Sequence, residues 1–324
     1  MQLPSDPGVS LRSTTGYYLT ALRAACKSSR AAFPKGKVRI KMSRLPVAAW
    51  WAGVSIPPTR WFKERAFYFR MIPVGHIREI TRYPVKSMAG IPVDSAMLGW
   101  HGLAGDRRFA FRRIGADNGF PWLTASKLPA LLLYQPVGLD ESSGEPLPIH
   151  VRTPSGAQLE LRSAELNAEI GKRFGSDVEL MQLKHGIFDA APVSLISLTT
   201  IAAIGREAGI GVDVDRRRFR ANIVLETESH EPFLEDDWIG GTLVFGDSDA
   251  SPAVHVTMPD ERCVMINLDP DTSANDARLM KTVVQLNQNN AGVYATVIRQ
   301  GIVNVGDRVR LVANTNGPDR DNGT

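Results

Sequence analysis

Of the two cysteines in 324 residues, Cys263 is the one set among chemistry-bearing neighbours. It follows a polar run, Pro259-Asp260-Glu261-Arg262, that reads as a loop. It opens an apolar stretch, Cys263 to Leu268, that reads as a strand ending at Asp269-Pro270-Asp271-Thr272. A thiol at such a junction is partly exposed, and Arg262 beside it biases it toward thiolate, the form that attacks electrophiles and ligates soft metals. A cysteine in a buried strand is instead a small hydrophobe. The residue alone leaves both readings open.

Basic residues supply a second pattern. Arg216-Arg217-Arg218-Phe219-Arg220 runs into Ala221-Asn222-Ile223-Val224, and on a strand Arg218 and Arg220 would share a face. Tyr83-Pro84-Val85-Lys86-Ser87 and Gly105-Asp106-Arg107-Arg108 place further cations at turns. Arginine forks match phosphate oxygens, and lysine adds a point charge. Each cation taken singly reads as solvated. Three such sites fit a small phosphorylated cofactor better than a nucleic-acid surface. Other chemistry is absent: there is no G-x-S-x-G elbow, Walker loop or H-E-x-x-H, and the six histidines lack metal-ligand spacing.

The elements that must position these residues begin at Val74. Val74 to Ile80, Arg108 to Phe111 and Ile149 to Arg152 alternate as half-buried strands do, and Gly115-Ala116-Asp117-Asn118-Gly119 and Thr153-Pro154-Ser155-Gly156 read as hairpin turns. Further strands are expected at 221–226, 242–245, 254–258, 293–299 and 308–312. Ser163 caps an expected helix stopped by Gly175, a second follows Ser197 and ends near Gly209, and a third covers 277–286. Many short strands suggest a barrel. The expected class is α+β, predominantly β.

Charge separates this body from what precedes it. Residues 1–70 hold 13 Lys+Arg against Asp6 and Glu64, and the remainder holds 25 against 32 acids. The mild overall basicity therefore belongs to the extension, which weakens any reading of the whole chain as a phosphate-backbone binder. That extension reads as a disordered leader or, alternatively, an organelle-targeting segment. Its apolar run from Leu45 to Ile56 is shorter than a membrane span. Two cysteines exclude disulfide frameworks and four-thiolate clusters and suit a reducing compartment. A cytoplasmic location without membrane association is the expectation.

Together, Tyr83-Pro84-Val85-Lys86-Ser87, Gly105-Asp106-Arg107-Arg108-Phe109, Phe219-Arg220-Ala221-Asn222-Ile223 and Arg262-Cys263-Val264-Met265 resemble the MOSC family, domains related to the C-terminal part of molybdenum cofactor sulfurase. The likeness is to the two-module branch with an N-terminal MOSC β-barrel, which includes the mitochondrial amidoxime-reducing component. It implies an N-terminal β-barrel-like module at 74–185, a MOSC-type β-barrel with peripheral helices at 186–313, and a polar tail at 314–324. It implies Mo-molybdopterin, the molybdenum cofactor, rather than pyridoxal phosphate.

By that resemblance Cys263 matches the molybdenum ligand and catalytic thiolate, and Lys86, Ser87, Arg107, Asp189, Arg220, Asn222 and Tyr294 match cofactor-binding positions. Asp189-Ala190-Ala191-Pro192 stands where relatives read D-T-S-P, and Glu261 replaces a small hydroxyl residue two positions before the cysteine. The implied activity is reduction of small N-hydroxylated substrates such as amidoximes. Electrons would come from a separate ferredoxin, flavoprotein or haem protein. The alternative is a cofactor carrier or sulfur-transfer protein using a Cys263 persulfide.

Overall fold

A computed structural model describes residues 71–116, 119–142, 144–183 and 190–313. All lie in one compact unit, Ala66–Thr324. The extension, the polar tail and Asp189 lie outside the described residues.

The first half carries strands β1 (Met71–Arg82), β2 (Ile91–Val93), β3 (Ser95–Gly99), β4 (Gly102–Leu103), β5 (Phe109–Arg113), β6 (Gln135–Asp140), β7 (Leu147–Arg152) and β8 (Gln158–Glu160), then helix α1 (Ala164–Phe174) and β9 (Val178–Gln182). The second half runs β10 (Val193–Ser197), α2 (Leu198–Glu207), β11 (Ile223–Thr227), β12 (Thr242–Phe245), β13 (Ala253–Glu261), α3 (Arg278–Asn287), β14 (Asn290–Arg299), β15 (Gly301–Asn304) and β16 (Arg308–Val312). The protein is mostly β, as the strand-rich pattern implied.

Strands β11, β10, β14, β13, β12, β16 and β1 pair in that order, and β1 pairs back onto β11, closing a seven-stranded barrel. Closure leaves no unpaired edge in the ring. Its interior is filled by side chains such as Ile77, Leu195, Ile223, Phe245, Val254 and Val293. Along β1, Ile77 and Ile80 are both buried, although a strict alternation would put them on opposite faces. A one-residue register shift between Ile77 and Glu79 against β11 resolves this. Gly75 permits the crossing: a β-carbon there would lie 1.9 Å from the Glu226 carbonyl oxygen.

The two stretches expected as successive modules share strands. β1 belongs by sequence to the first module yet completes the barrel of the second, while β15 from the second pairs with β3 of the first. A separate core forms where β5 and β9, β6 to β8 and α1 meet, around Phe109, Phe111, Tyr134 and Leu166. A third core, around Ile204, Phe219, Ile266 and Leu279, holds α2 and α3 against the outside of the barrel.

All three expected helices form, the first two with local caps. Ser163 Oγ accepts from Leu166 N at 3.2 Å and Gly175 closes α1 in the left-handed region. Ser197 Oγ does the same for α2. At α3 the capping oxygen comes from afar, with Asn267 Oδ1 accepting from Met280 N at 2.9 Å.

Two expectations fail. Cys263 to Leu268 is no strand: Val264–Asn267 forms a short 3-10 helix, burying Ile266 and Asn267 together. Strand β13 instead extends through the segment read as a loop, ending at Glu261. A short apolar run satisfies a 3-10 turn as well as a strand, and here the segment's apolar residues serve two cores, Ile266 in one and Leu268 in another. Likewise Arg216–Phe219 is a 3-10 turn with Arg220 left-handed after it, so Arg218 and Arg220 are not alternate residues of a strand.

Candidate functional site

Two turns of the first half are zipped together beneath the barrel's first strand. Arg107 N donates to Tyr83 O at 2.9 Å, Arg108 N to Pro84 O at 3.0 Å, and Lys86 N to Phe109 O at 2.8 Å. Asp106 lies at their centre, fully buried, accepting from Tyr83 N at 2.6 Å and pairing with Arg107 at 2.5 Å. The arrangement fixes Lys86-Ser87 beside Arg107. Ser87, Arg107 and Arg220 all hold positive φ, at 67, 47 and 50°. Each costs about 1 kcal/mol and persists because its surroundings hold it.

Arg107 is held from several sides. Its Nη1 also donates to Asn222 Oδ1 at 2.9 Å, and its Nη2 to Arg220 O at 3.2 Å. Its guanidinium and that of Arg220 sit 5.4 and 4.3 Å from the Tyr83 ring centre. Burial pushes the Tyr83 phenol up, against the downward pull of the two guanidinium groups.

The strand that leads into the cysteine is shaped by bulges. Along β13 the register against β14 shifts between Val256 and Met258 and again between Pro259 and Glu261. Such shifts re-aim side chains beside functional sites. From 260 onward burial alternates: Asp260 and Arg262 are buried, Glu261 and Cys263 exposed. Arg262 therefore turns away from the thiol it was expected to activate. Its guanidinium donates to Ala291 O at 2.7 Å and Phe219 O at 2.5 Å and pairs with Asp260 at 2.9 Å. Ser194 Oγ donates to the same Asp260 at 2.6 Å. This buried network pins the cysteine-bearing segment to β10, β14 and the Arg216–Phe219 turn.

Lys86, Ser87, Arg107, Arg220, Cys263 and Tyr294 all line one cavity of about 700 Å³. They come from six positions spread over more than 200 residues. Asn222 does not line it. Buried behind the wall, it accepts from Arg107 and from Ser194 N at 3.1 Å and donates to Thr81 O at 3.2 Å, so it positions other residues. Asp189 lies outside the described residues, while the adjacent Ala190 lines the cavity. Asp106 and Asp260 read in the sequence as ordinary polar residues near arginines, and Ser194 as a hydroxyl within an apolar run, so none of the three stands out as part of a site. Sequence reasoning also missed Phe120, Thr124, Ser126 and Met258 on the cavity wall.

A neighbouring cavity of about 820 Å³ shares Arg218, Arg220 and Met265 with this one. It holds no cysteine, and two of its arginines are taken by carboxylates, Arg216 by Glu79 at 2.6 Å and Arg217 by Asp271 at 2.5 Å. The smaller cavity is the one that brings the cysteine together with the cation-bearing turns.

The smaller cavity's donor set suits one kind of occupant. It offers a single exposed thiol as soft ligand, a buried serine and several cations, in a volume typical of small-molecule sites. Among the described residues no three His, Cys, Asp or Glu side chains converge as a metal site. A metal held at Cys263 must bring its other ligands with it, as a pterin dithiolene does. The residues present fit such a group.

A family model described as MOSC domain matches residues 182–310, and one described as MOSC N-terminal beta barrel domain matches 74–186. No curated protein matches the chain. Solved structures similar to it include the YUAD protein from Bacillus subtilis, at 14% identity and TM-score 0.40, covering 74% of this chain and 95% of that one. YiiM from Escherichia coli is similar at 14% identity and TM-score 0.34, covering 75% and 70%. Both likenesses are distant.

Proposed function

Because the chain belongs to the MOSC family, whose members are associated with the molybdenum cofactor, we propose that it is a molybdenum-dependent reductase of N-hydroxylated compounds such as amidoximes. The observation that carries this reading is the exposed Cys263 thiol sharing one cavity with Lys86, Ser87 and Arg220. When bound, the cofactor supplies two-electron chemistry that turns an N–OH group, with two electrons and two protons, into N–H and water.

The chain's own residues bind and orient. Cys263 is the soft ligand, presented by the bulged end of β13 and held by the Asp260–Arg262–Ser194 network. Lys86 and Arg220 supply charge for a phosphate, with the Ser87 hydroxyl beside them. Arg107, tied to Asp106 and Asn222, sets the backbone of both turns and lines the same wall. Electrons are supplied by a redox protein such as a ferredoxin, flavoprotein or haem protein.

The test is metal and pterin analysis of protein made in a host that synthesises the cofactor, followed by amidoxime reduction with a chemical reductant. Bound molybdenum with turnover supports a reductase. Bound cofactor without turnover, or a persulfide on Cys263 without cofactor, supports a carrier instead.

A further inference from the structure

The cavity is graded. Ser87 and Arg107 are buried, whereas Cys263, Glu261, Phe120 and Met258, lining the same space, are exposed and form its mouth. Charge follows the same gradient. Among the lining cations Arg107 is paired with Asp106, Arg218 with Asp269 at 2.8 Å and Arg262 with Asp260, while Lys86 and Arg220, half-buried, are the two given to a phosphate in the proposed reading. Glu261 differs. Among the described residues no Lys or Arg pairs with it, and its polar contact is Asn289 Nδ2 at 3.2 Å, which steadies the carboxylate without neutralising it. The burial alternation over 261–263 puts this carboxylate on the face that carries the Cys263 thiol. Phe120 and Met258, 52% and 39% exposed, add apolar surface at the same opening.

We infer that Glu261 makes this mouth select ligands with a positive charge attached to an apolar body, so that cationic N-hydroxylated substrates such as aryl N-hydroxyguanidines are preferred over neutral or anionic ones. The substrate part of this inference rests on the proposed reductase reading. An unpaired carboxylate at a partly enclosed mouth favours a cation by about three- to tenfold, and added salt erodes the preference. Phe120 and Met258 contribute affinity without regard to charge.

Two probes of matched shape test it: benzamidinium, a cation, and benzamide, which is neutral. Their binding to the purified full chain is measured by calorimetry for wild type, Glu261→Gln and Phe120→Ala. The wild type should bind benzamidinium about three- to tenfold more tightly, Glu261→Gln should abolish the difference, and Phe120→Ala should weaken both probes alike. In parallel, the kcat/KM ratio of an aryl N-hydroxyguanidine to benzamidoxime should fall by a similar factor in Glu261→Gln. No cation preference in the wild type, or equal losses for both probes in Glu261→Gln, overturns the assignment. A cation preference that Glu261→Gln abolishes, in a protein that reduces neither substrate, supports Glu261's role and overturns the reductase reading.

Discussion

Asn222 Oδ1 accepts from Arg107 Nη1 at 2.9 Å across 115 residues of sequence, joining the two halves of the chain behind the cavity wall. The same oxygen accepts from Ser194 N, so one amide serves both a side chain of the first half and a barrel strand of the second. Asn222→Ala leaves a buried guanidinium N–H and a buried backbone N–H without an acceptor. A loss of about 1–3 kcal/mol in urea unfolding is expected, together with lower cofactor content. Unchanged stability and loading would remove Asn222 from the positioning of Arg107.

Asp106 carries a larger load. It is fully buried, pairs with Arg107 and accepts from Tyr83 N. Asp106→Asn keeps the shape and an acceptor but removes a buried carboxylate paired with Arg107, which costs about 3–5 kcal/mol. Denaturant midpoints of the two proteins check this. A shift within experimental scatter would mean that the Asp106 charge adds nothing to the stability of the Arg107 site.

Part of this architecture was legible in the sequence because it is local. The caps at Ser163 and Ser197 and the stop at Gly175 are short-range signals, and all form. The many short strands pointed to a barrel, but which strands close it was not legible, because β1 meets β11 across some 150 residues and no local preference records that pairing. Cys263 to Leu268 misled because a short apolar run carries no distinguishing period. At the site, the cation-bearing turns and the cysteine stood out by residue type. Asp106 and Asp260 did not, since a carboxylate beside an arginine reads as a solvated pair until burial is known. Nor could sequence tell that Arg262 turns inward.

Glu235 offers a pH-dependent readout of the helix beside the site. Fully buried, it accepts from Ser197 N at 2.6 Å and Thr200 Oγ1 at 2.8 Å at the start of α2. Burial pushes its carboxyl up, against these hydrogen bonds. A raised folded-state value favours folding below the ordinary carboxylate range, near pH 4, and that contribution is lost as pH rises through the raised value. Glu235→Gln does not ionise. Its stability should therefore gain on the wild type as pH rises from about 4 toward neutrality, and urea midpoints measured across that range show whether it does. A constant difference between the two proteins would mean that Glu235 titrates alike folded and unfolded.

The central claim is that Cys263 is the protein's ligand to a molybdenum cofactor that reduces N-hydroxylated compounds. Its most direct measurement is molybdenum content and benzamidoxime reduction, with a chemical reductant, for wild type and Cys263→Ser produced in a cofactor-synthesising host. The wild type should carry near-stoichiometric molybdenum and turn over, with turnover abolished in the variant. Folded wild-type protein without molybdenum, or equal rates for the two proteins, would contradict that claim.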